Sequence, residues 1–471
     1  MTRPTLPDAA YAVLSSRLIP GLDGGYTVAT LARARLLEEA GAGTVTLLTV
    51  DPGAPEAHAE QRAEFVRRGD AASVDRFRNL FDDALADPSW LRDAAVPGEP
   101  TPDVGYRDVG GVVSIPVIPG DPDWHLTDAA VVVRGAGVIA GFRGLYLAWL
   151  QHVVDELRAD APERVVVLVC ESRQLGELIA GWDDPGVRIV HTIHNSHLEP
   201  PYDDPDGPIN ALWRRWFAVA GSFDVVLWPT AAQREEVSAR FGGHDTYAVV
   251  PNAVEQIARS TQAPEPVEGS SPAHGAGRDA STGSTAVSHR VVMLNRLAPQ
   301  KRVDHAIRAW ATVVEAVPDA TLDVYGGGPL RDELQQLIEE LDLAGSVTLH
   351  GHVDDREAVF AGASLFLASS AYEGQGLSTA EALARGIPAV SYDVRYGPRE
   401  TIQDAGIVVP SGDIDGLADA VIALLRDDER RAVLAARAPE VAADLAPDVV
   451  RGLLIAAIEG AVSRPSRRTP S

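Results

Sequence analysis

The chain has 471 residues, of which 45% are hydrophobic and 23% charged, and it carries a net charge of −26. That length calls for more than one domain, each able to bury its own core. The charge excludes general binding to nucleic acid or to an anionic membrane surface, both of which need basic patches. Any anion site must therefore be a local concentration of cations or backbone N–H groups.

In chain order, Ala10–Leu14 reads as a strand, Thr27–Ala40 as a helix and Val45–Val50 as a second strand. A charged helical stretch over Ala59–Asp93 and a hairpin over Tyr106–Pro116, turning at Val109-Gly110-Gly111, break the rhythm. The stretch from about 55 to 130 is therefore expected to be an insertion. Apolar runs at Arg164–Cys170, Val187–Ile193, Val225–Trp228 and Tyr247–Val250 resume it, and strands alternating with helices predict right-handed parallel units. Cys170, the single cysteine, cannot form an internal disulfide and is expected to pack as a small hydrophobe.

Residues 256–288 are rich in Pro, Gly and Ser and read as a disordered linker. A second alternation follows: strand Val291–Leu294, helix Asp304–Val317, strand Thr321–Tyr325, helix Leu330–Leu341, then strands Val347–Leu349 and Ser364–Leu367. The expected fold is α/β, with residues 1–255 and 289–440 as two doubly wound lobes and a cleft at the carboxyl ends of their strands. Residues 441–471 should form a terminal helix and a disordered tail. No run of about 18 apolar residues could span a bilayer, and Met1–Pro7 shows no signal-peptide pattern. A cytoplasmic protein is expected.

All but one of the 41 Lys and Arg residues are arginine; the exception is Lys301. It ends Asn295-Arg-Leu-Ala-Pro-Gln-Lys301, a basic loop after a strand, where Arg296 offers a guanidinium fork and Lys301 a compact ammonium. That pair suits the two phosphates of a diphosphate. A second segment, Ser369-Ser-Ala-Tyr-Glu-Gly-Gln-Gly-Leu-Ser-Thr-Ala-Glu381, places Glu373 on a loop and Glu381 in the first turn of a helix. Gly374 and Gly376 allow backbone N–H groups to approach a ligand there. Ser378-Thr-Ala-Glu381 also fits a capping box with Ser378 as the cap.

These segments, with Gly24-Gly25, Thr192-Ile-His-Asn195, Val250-Pro-Asn252, Tyr325-Gly-Gly-Gly-Pro329 and His350-Gly-His-Val353, resemble the retaining nucleotide-sugar-dependent glycosyltransferases of family 4. Ser391-Tyr-Asp-Val-Arg-Tyr-Gly-Pro398 and the insertion most resemble the poly(glycerol-phosphate) α-glucosyltransferase branch. The resemblance implies the GT-B arrangement of two facing Rossmann-like domains. It implies that Arg296 and Lys301 hold the donor diphosphate, that Glu381 meets the ribose, and that Glu373 binds the donor sugar while Gly374, Gln375, Gly376 and Leu377 offer backbone N–H groups. Val353 would line the nucleobase, Gly24 and Gly25 would approach the phosphate and acceptor, and His194 would lie beside the reacting centre. His197 would orient its loop or meet the acceptor.

The implied donor is uridine diphosphate glucose or N-acetylglucosamine, the acceptor a glycan, polymer or protein, with no separate cofactor; a homo-oligomer is left open. Gln375 departs from the family, where phenylalanine is common. Tyr26-Thr-Val28 stands where the branch usually carries basic residues, and the insertion looks short for the branch. With the acidic charge, these departures weigh against a polyanionic acceptor.

Residues three apart in an extended chain point to opposite faces, so His191, His194 and His197 are not expected to share a metal. Asp121-Pro-Asp123, Asp204-Pro-Asp206 and Asp413-Ile-Asp415 mimic an Asp-x-Asp metal motif but lie in turn or helix-start sequence, and no metal is expected. A sugar-nucleotide epimerase on the same fold and a non-catalytic nucleotide-sugar-binding partner remain as rivals. A dinucleotide dehydrogenase fits poorly, because Gly326-Gly-Gly328 lacks the Gly-x-Gly-x-x-Gly pattern.

Overall fold

A computed structural model of the chain describes residues 5–22, 24–120, 124–256, 289–353 and 355–468. The expected linker, apart from Gln256, lies outside these residues, as does Asp121-Pro-Asp123. The first lobe contains β1 (Ala9–Ser15), β2 (Thr46–Thr49), β3 (Phe77–Asn79), β4 (Gly105–Val109), β5 (Val113–Val117), β6 (Val131–Val133), β7 (Gly137–Ile139), β8 (Val165–Cys170), β9 (Val187–Thr192), β10 (Val225–Trp228) and β11 (Tyr247–Val249). Seven of these form a parallel sheet in the order β11-β10-β9-β8-β1-β2-β3. Its central strands are apolar on both faces, as a sheet covered by helices on each side requires. Cys170 is fully buried at the end of β8.

The interruption of the rhythm has two parts. Residues Pro55–Ala94 are largely helical but also give β3, a short strand that the charged pattern concealed. The hairpin β4–β5 is antiparallel as its turn predicts, and β6 and β7 extend it into a separate four-stranded sheet reaching Ile139. Where the helices join β2, His58 is buried between two carboxylates, with Asp82 Oδ1 2.9 Å from Nδ1 and Asp51 Oδ2 3.0 Å from Nε2.

The second lobe contains β12 (Arg290–Leu294), β13 (Thr321–Tyr325), β14 (Val347–Gly351), β15 (Leu365–Ala368), β16 (Ala389–Asp393) and β17 (Gly406–Pro410), parallel in the order β14-β13-β12-β15-β16-β17. The strand order reverses beside β12 and β15, so the crevice of a doubly wound sheet falls at their carboxyl ends.

The chain changes lobes twice. Val250 packs in the first lobe's core and Val254 already in the second's, so the crossing is made at Val250–Val254, ahead of the expected linker. The return runs from Ala442, in the second lobe's core, to Val450, in the first's. The two crossings touch, Val254 N–H donating to Leu445 O at 2.9 Å.

Helix Pro447–Ser463 then lays Val450, Leu454, Ile458 and Ala461 on the first lobe. Burial of the three larger side chains contributes roughly 1.5–3 kcal/mol each. The tail expected to be disordered is anchored through Arg468, whose guanidinium pairs with Asp224 and donates to Ser222 O at 2.9 Å; both charged side chains are buried. No helix among the described residues is long and apolar enough to cross a membrane.

Candidate active site between the two lobes

A cleft of about 1080 Å³ lies between the lobes at the carboxyl ends of β1, β8, β9, β12 and β15. Its lining includes Arg17, Arg173, Arg296, Lys301 and Arg356, against Glu171, Glu199 and Glu373. A chain of net charge −26 thus concentrates cations in one place, as the charge balance demands of any anion site.

The loop after β12 is tied down by Asn295 N–H to Tyr325 O at 3.0 Å and Leu297 N–H to Gly327 O at 2.9 Å. This leaves Arg296 exposed on the cleft wall, with no carboxylate in ion-pair range among the described residues. Lys301 closes a single 3-10 turn, and the Ser369 hydroxyl bonds Lys301 O at 2.9 Å and Arg302 O at 2.8 Å. The turn is thereby fastened to the loop after β15. Lys301 Nζ donates to Glu373 Oε1 at 2.6 Å, and Ser370 Oγ donates to the same oxygen at 2.6 Å. The structure therefore brings Arg296, Lys301 and Glu373 together on one wall.

Helix N-termini add positive potential. Gly24, with φ 48°, caps helix Gly25–Leu37, a conformation that a β-carbon would strain. Opposite it, Gly376 precedes helix Leu377–Ala384. The lobes meet tightly here: a Cβ on Gly374 would lie 2.0 Å from His194 O, and one on Gly25 would lie 3.5 Å from Leu377 Cδ1. Gly374 therefore serves a close approach of two backbones. Val353 and His352 line the same cleft.

Three sequence expectations need correction. The capping box does not form: the cap of helix Leu377–Ala384 is Gly376, two residues ahead of Ser378, with no side-chain capping bond. Glu381 instead accepts from Arg356 Nη1 at 3.0 Å, and burial raises its carboxyl above the ordinary range although Arg356 and Arg385 oppose this.

Gln375 stays in the cleft lining, but its side chain, where a change to the sugar pocket is expected, turns to the crossing segment. Its Oε1 accepts from Asn252 N–H at 2.6 Å and its Nε2 donates to Asn252 O at 3.1 Å, both in buried surroundings. The departure at this position is thus a clasp on the crossing segment.

His197 does not reach the cleft. It is 0% exposed, with both ring nitrogens unpartnered, stacked on Tyr396 and edged by Trp213, Phe217 and Phe241. Burial lowers its pKa to about 4, so the ring is neutral.

The three spaced histidines have three different surroundings. His191 Nδ1 lies 3.0 Å from Cys170 O, His194 Nε2 lies 2.6 Å from Glu171 Oε2, and His197 sits in its aromatic box. Only His194 lines the cleft, its ring plane set by the edge of Tyr26 at 5.0 Å between centroids. Asp204 closes a turn onto Asp206 N–H at 2.9 Å, and Asp413 caps helix Ile414–Leu425 through Gly416 N–H at 2.9 Å. Among the described residues no group of three His, Cys, Asp or Glu is arranged to hold a metal.

Sequence reasoning missed Glu171, Tyr26 and the pair Tyr202–Tyr372, whose rings meet across the cleft at 4.5 Å. Tyr372 adjoins Glu373 and could have been flagged from that position. Glu171 follows a strand directly, as a cleft residue should.

Residues 281–441 match the family described as "Glycosyl transferases group 1". Poly(glycerol-phosphate) alpha-glucosyltransferase of Bacillus subtilis (strain 168) is 29% identical over 238 residues, 50% of this chain and 32% of that protein. Poly(ribitol-phosphate) alpha-N-acetylglucosaminyltransferase of Staphylococcus aureus (strain COL) is 31% identical over 149 residues, 31% of this chain and 30% of that protein. The chain thus spans no more than about a third of the length of either. The crystal structure of S. aureus TarM in complex with Fondaparinux, alpha-GlcNAc-glycerol and UDP superposes with a TM-score of 0.73 at 15% identity, covering 96% of this chain and 99% of that one. At that identity the likeness speaks for the fold, which is GT-B.

Proposed function

We propose that the chain is a retaining, nucleoside-diphosphate-sugar-dependent glycosyltransferase of family 4. It would move glucose or N-acetylglucosamine, from a uridine diphosphate donor, to a hydroxyl of a cell-envelope polymer, glycan or protein. The observation that carries this reading is the meeting of Arg296, Lys301 and Glu373 at the reversal of strand order, in a cleft of an acidic protein whose lining holds more cations than carboxylates. The names of the relatives support the hexose and the polymer, and the TarM complex contains UDP. We place the reaction in the cytoplasm.

In this reading the diphosphate lies against Arg296 and Lys301 and the N-termini of helices Gly25–Leu37 and Leu377–Ala384. As the bond from C1 to the phosphate oxygen breaks, negative charge grows on that oxygen. Fixed cations and N–H dipoles are already aimed at it and need no reorganisation. The acceptor oxygen bonds C1 on the face the diphosphate leaves, and the acceptor's proton passes to the departing phosphate oxygen. Anomeric configuration is retained. Glu373 holds Lys301 and binds sugar hydroxyls; its engaged Oε1 casts it as a positioning group, with no covalent role. Glu381, kept near Arg356, meets the ribose, and Val353 lines the base.

A screen of nucleotide sugars by thermal stabilisation and by release of nucleoside diphosphate tests the reading. A UDP-hexose should stabilise the protein and be consumed, faster with an acceptor. Stabilisation by no nucleotide sugar would refute it, and conversion of the donor into its epimer with no release of diphosphate would favour the epimerase.

A further inference from the structure

Behind the cleft a buried polar chain runs from His194 into the first lobe. His194 Nε2 meets Glu171 Oε2 at 2.6 Å, and Glu171 Oε1 accepts from Arg33 Nε at 2.8 Å. Arg33 Nη2 then donates to Asn252 Oδ1 at 3.0 Å. The side chains of Glu171 and Arg33 are 0% and 2% exposed. Burial would raise the Glu171 carboxyl, but Arg33 and His194 together hold it below the ordinary range.

A buried ion pair of this kind adds little net stability, because desolvation cancels most of the attraction, and well-packed apolar residues do as well. Its place at the end of β8, against a cleft histidine, points to a different role. An ionised carboxylate can only accept hydrogen bonds, so it requires a hydrogen on Nε2. The ring nitrogen left for the cleft is then Nδ1, and Tyr26 sets the ring plane.

We propose that Glu171, held by Arg33, is a positioning residue that fixes His194 with its hydrogen on Nε2 and presents Nδ1 to the cleft as an acceptor for a substrate hydroxyl. This rests on the glycosyltransferase reading for the identity of the hydroxyl, which belongs to the sugar donor or the acceptor. The carboxylate itself touches no substrate. Substitution should therefore change turnover with little effect on nucleotide binding, since Arg296 and Lys301, the cations against the diphosphate, lie in the other lobe.

Two measurements test it. In histidine-labelled protein, ¹⁵N spectra with His194→Asn for assignment should show Nε2 protonated and Nδ1 bare, and Glu171→Gln should shift hydrogen onto Nδ1. A wild-type Nδ1–H, or a spectrum unchanged in Glu171→Gln, would overturn the proposal. In kinetics, Glu171→Gln should lower kcat about 10–100-fold, the worth of one charged hydrogen bond, with UDP affinity within about twofold.

The double variant Arg33→Met/Glu171→Gln separates positioning from simple charge balance. It should regain thermal stability over Glu171→Gln without regaining kcat; recovery of kcat would make Glu171 only a counterion and refute the proposal. Should the wild type consume no nucleotide sugar, the functional reading fails while the spectra still decide whether Glu171 sets the tautomer.

Discussion

Replacing Gln375 by Ala tests how the loop after β15 is coupled to the crossing between lobes. The amide makes two bonds to the Asn252 backbone, at 2.6 and 3.1 Å, between residues 4% and 9% exposed. Asn252 is fixed on the other side by Arg33. Removing the amide leaves one N–H and one C=O unpaired, each costing about 1–3 kcal/mol if water stays out. Separation of the lobes lets water in, so the penalty falls on the closed arrangement and the lower sum, about 2 kcal/mol, applies. That is a shift of roughly 30-fold towards the open form, at about 1.4 kcal/mol per tenfold.

Small-angle scattering should show a larger radius of gyration for Gln375→Ala, and calorimetric UDP affinity should fall by up to that factor. Gln375→Glu sharpens the test. Its carboxylate keeps an acceptor for Asn252 N–H but sets its second oxygen against Asn252 O. Affinity should fall at neutral pH and recover in acid, where the protonated group can donate again. Wild-type dimensions and UDP affinity in both variants would refute the coupling.

Lys301→Arg keeps the charge but replaces a compact ammonium, seated 2.6 Å from Glu373, with a broad fork. Nucleoside diphosphate affinity should fall about tenfold, and an unchanged calorimetric Kd would contradict the point-charge argument. His58, bonded to Asp51 and Asp82, has its pKa raised from 6.5 to about 9. Its contribution to stability is complete below 6.5 and lost as pH rises through about 9. Melting temperature should therefore decline over that window in the wild type and stay flatter in His58→Gln; parallel curves would disprove the link. Arg468→Ala strips the buried partner from Asp224, which among the described residues then keeps the hydrogen bond from Ile189 N–H at 2.7 Å. It should cost about 3 kcal/mol in denaturant unfolding, and a loss below about 1 kcal/mol would count against the anchor. EDTA should leave activity unchanged, because Arg296 and Lys301 supply the positive charge; abolition restored by Mg²⁺ would overturn that.

What could be read from the chain followed the range of the interactions. Valine runs such as Val165–Val169 and the basic loop after Val291–Leu294 are local signals, and they located both sheets and the Arg296–Lys301 wall. Glu373 stood out in the sequence as a carboxylate among glycines with no evident structural duty, and its bond to Lys301, 72 residues away, could not be read there. The role of the Gln375 side chain was not legible because its partner Asn252 lies 123 residues away. Of the two readings of His197, burial removes contact with the acceptor, and nothing in its neighbourhood announces the box built from Trp213, Phe217, Phe241 and Tyr396. Glu381 gave the right element but the wrong bond, since the position of a helix start depends on Gly376 taking a left-handed conformation. The tail was misjudged because composition cannot show that Arg468 meets Asp224 across 244 positions.

The paired crossings limit how this molecule can move. A single flexible tether would let the lobes tumble independently, but two tethers joined at Val254 and Leu445 leave one soft coordinate, rotation about the line through them. The jaws are thus kept at high mutual concentration, and closing them forfeits far less freedom than docking two separate proteins. A ligand's binding energy is then available for gripping the substrate. Asn252 lies on one of those tethers, so the Gln375 clasp is a contact that the closed arrangement keeps and the open one releases.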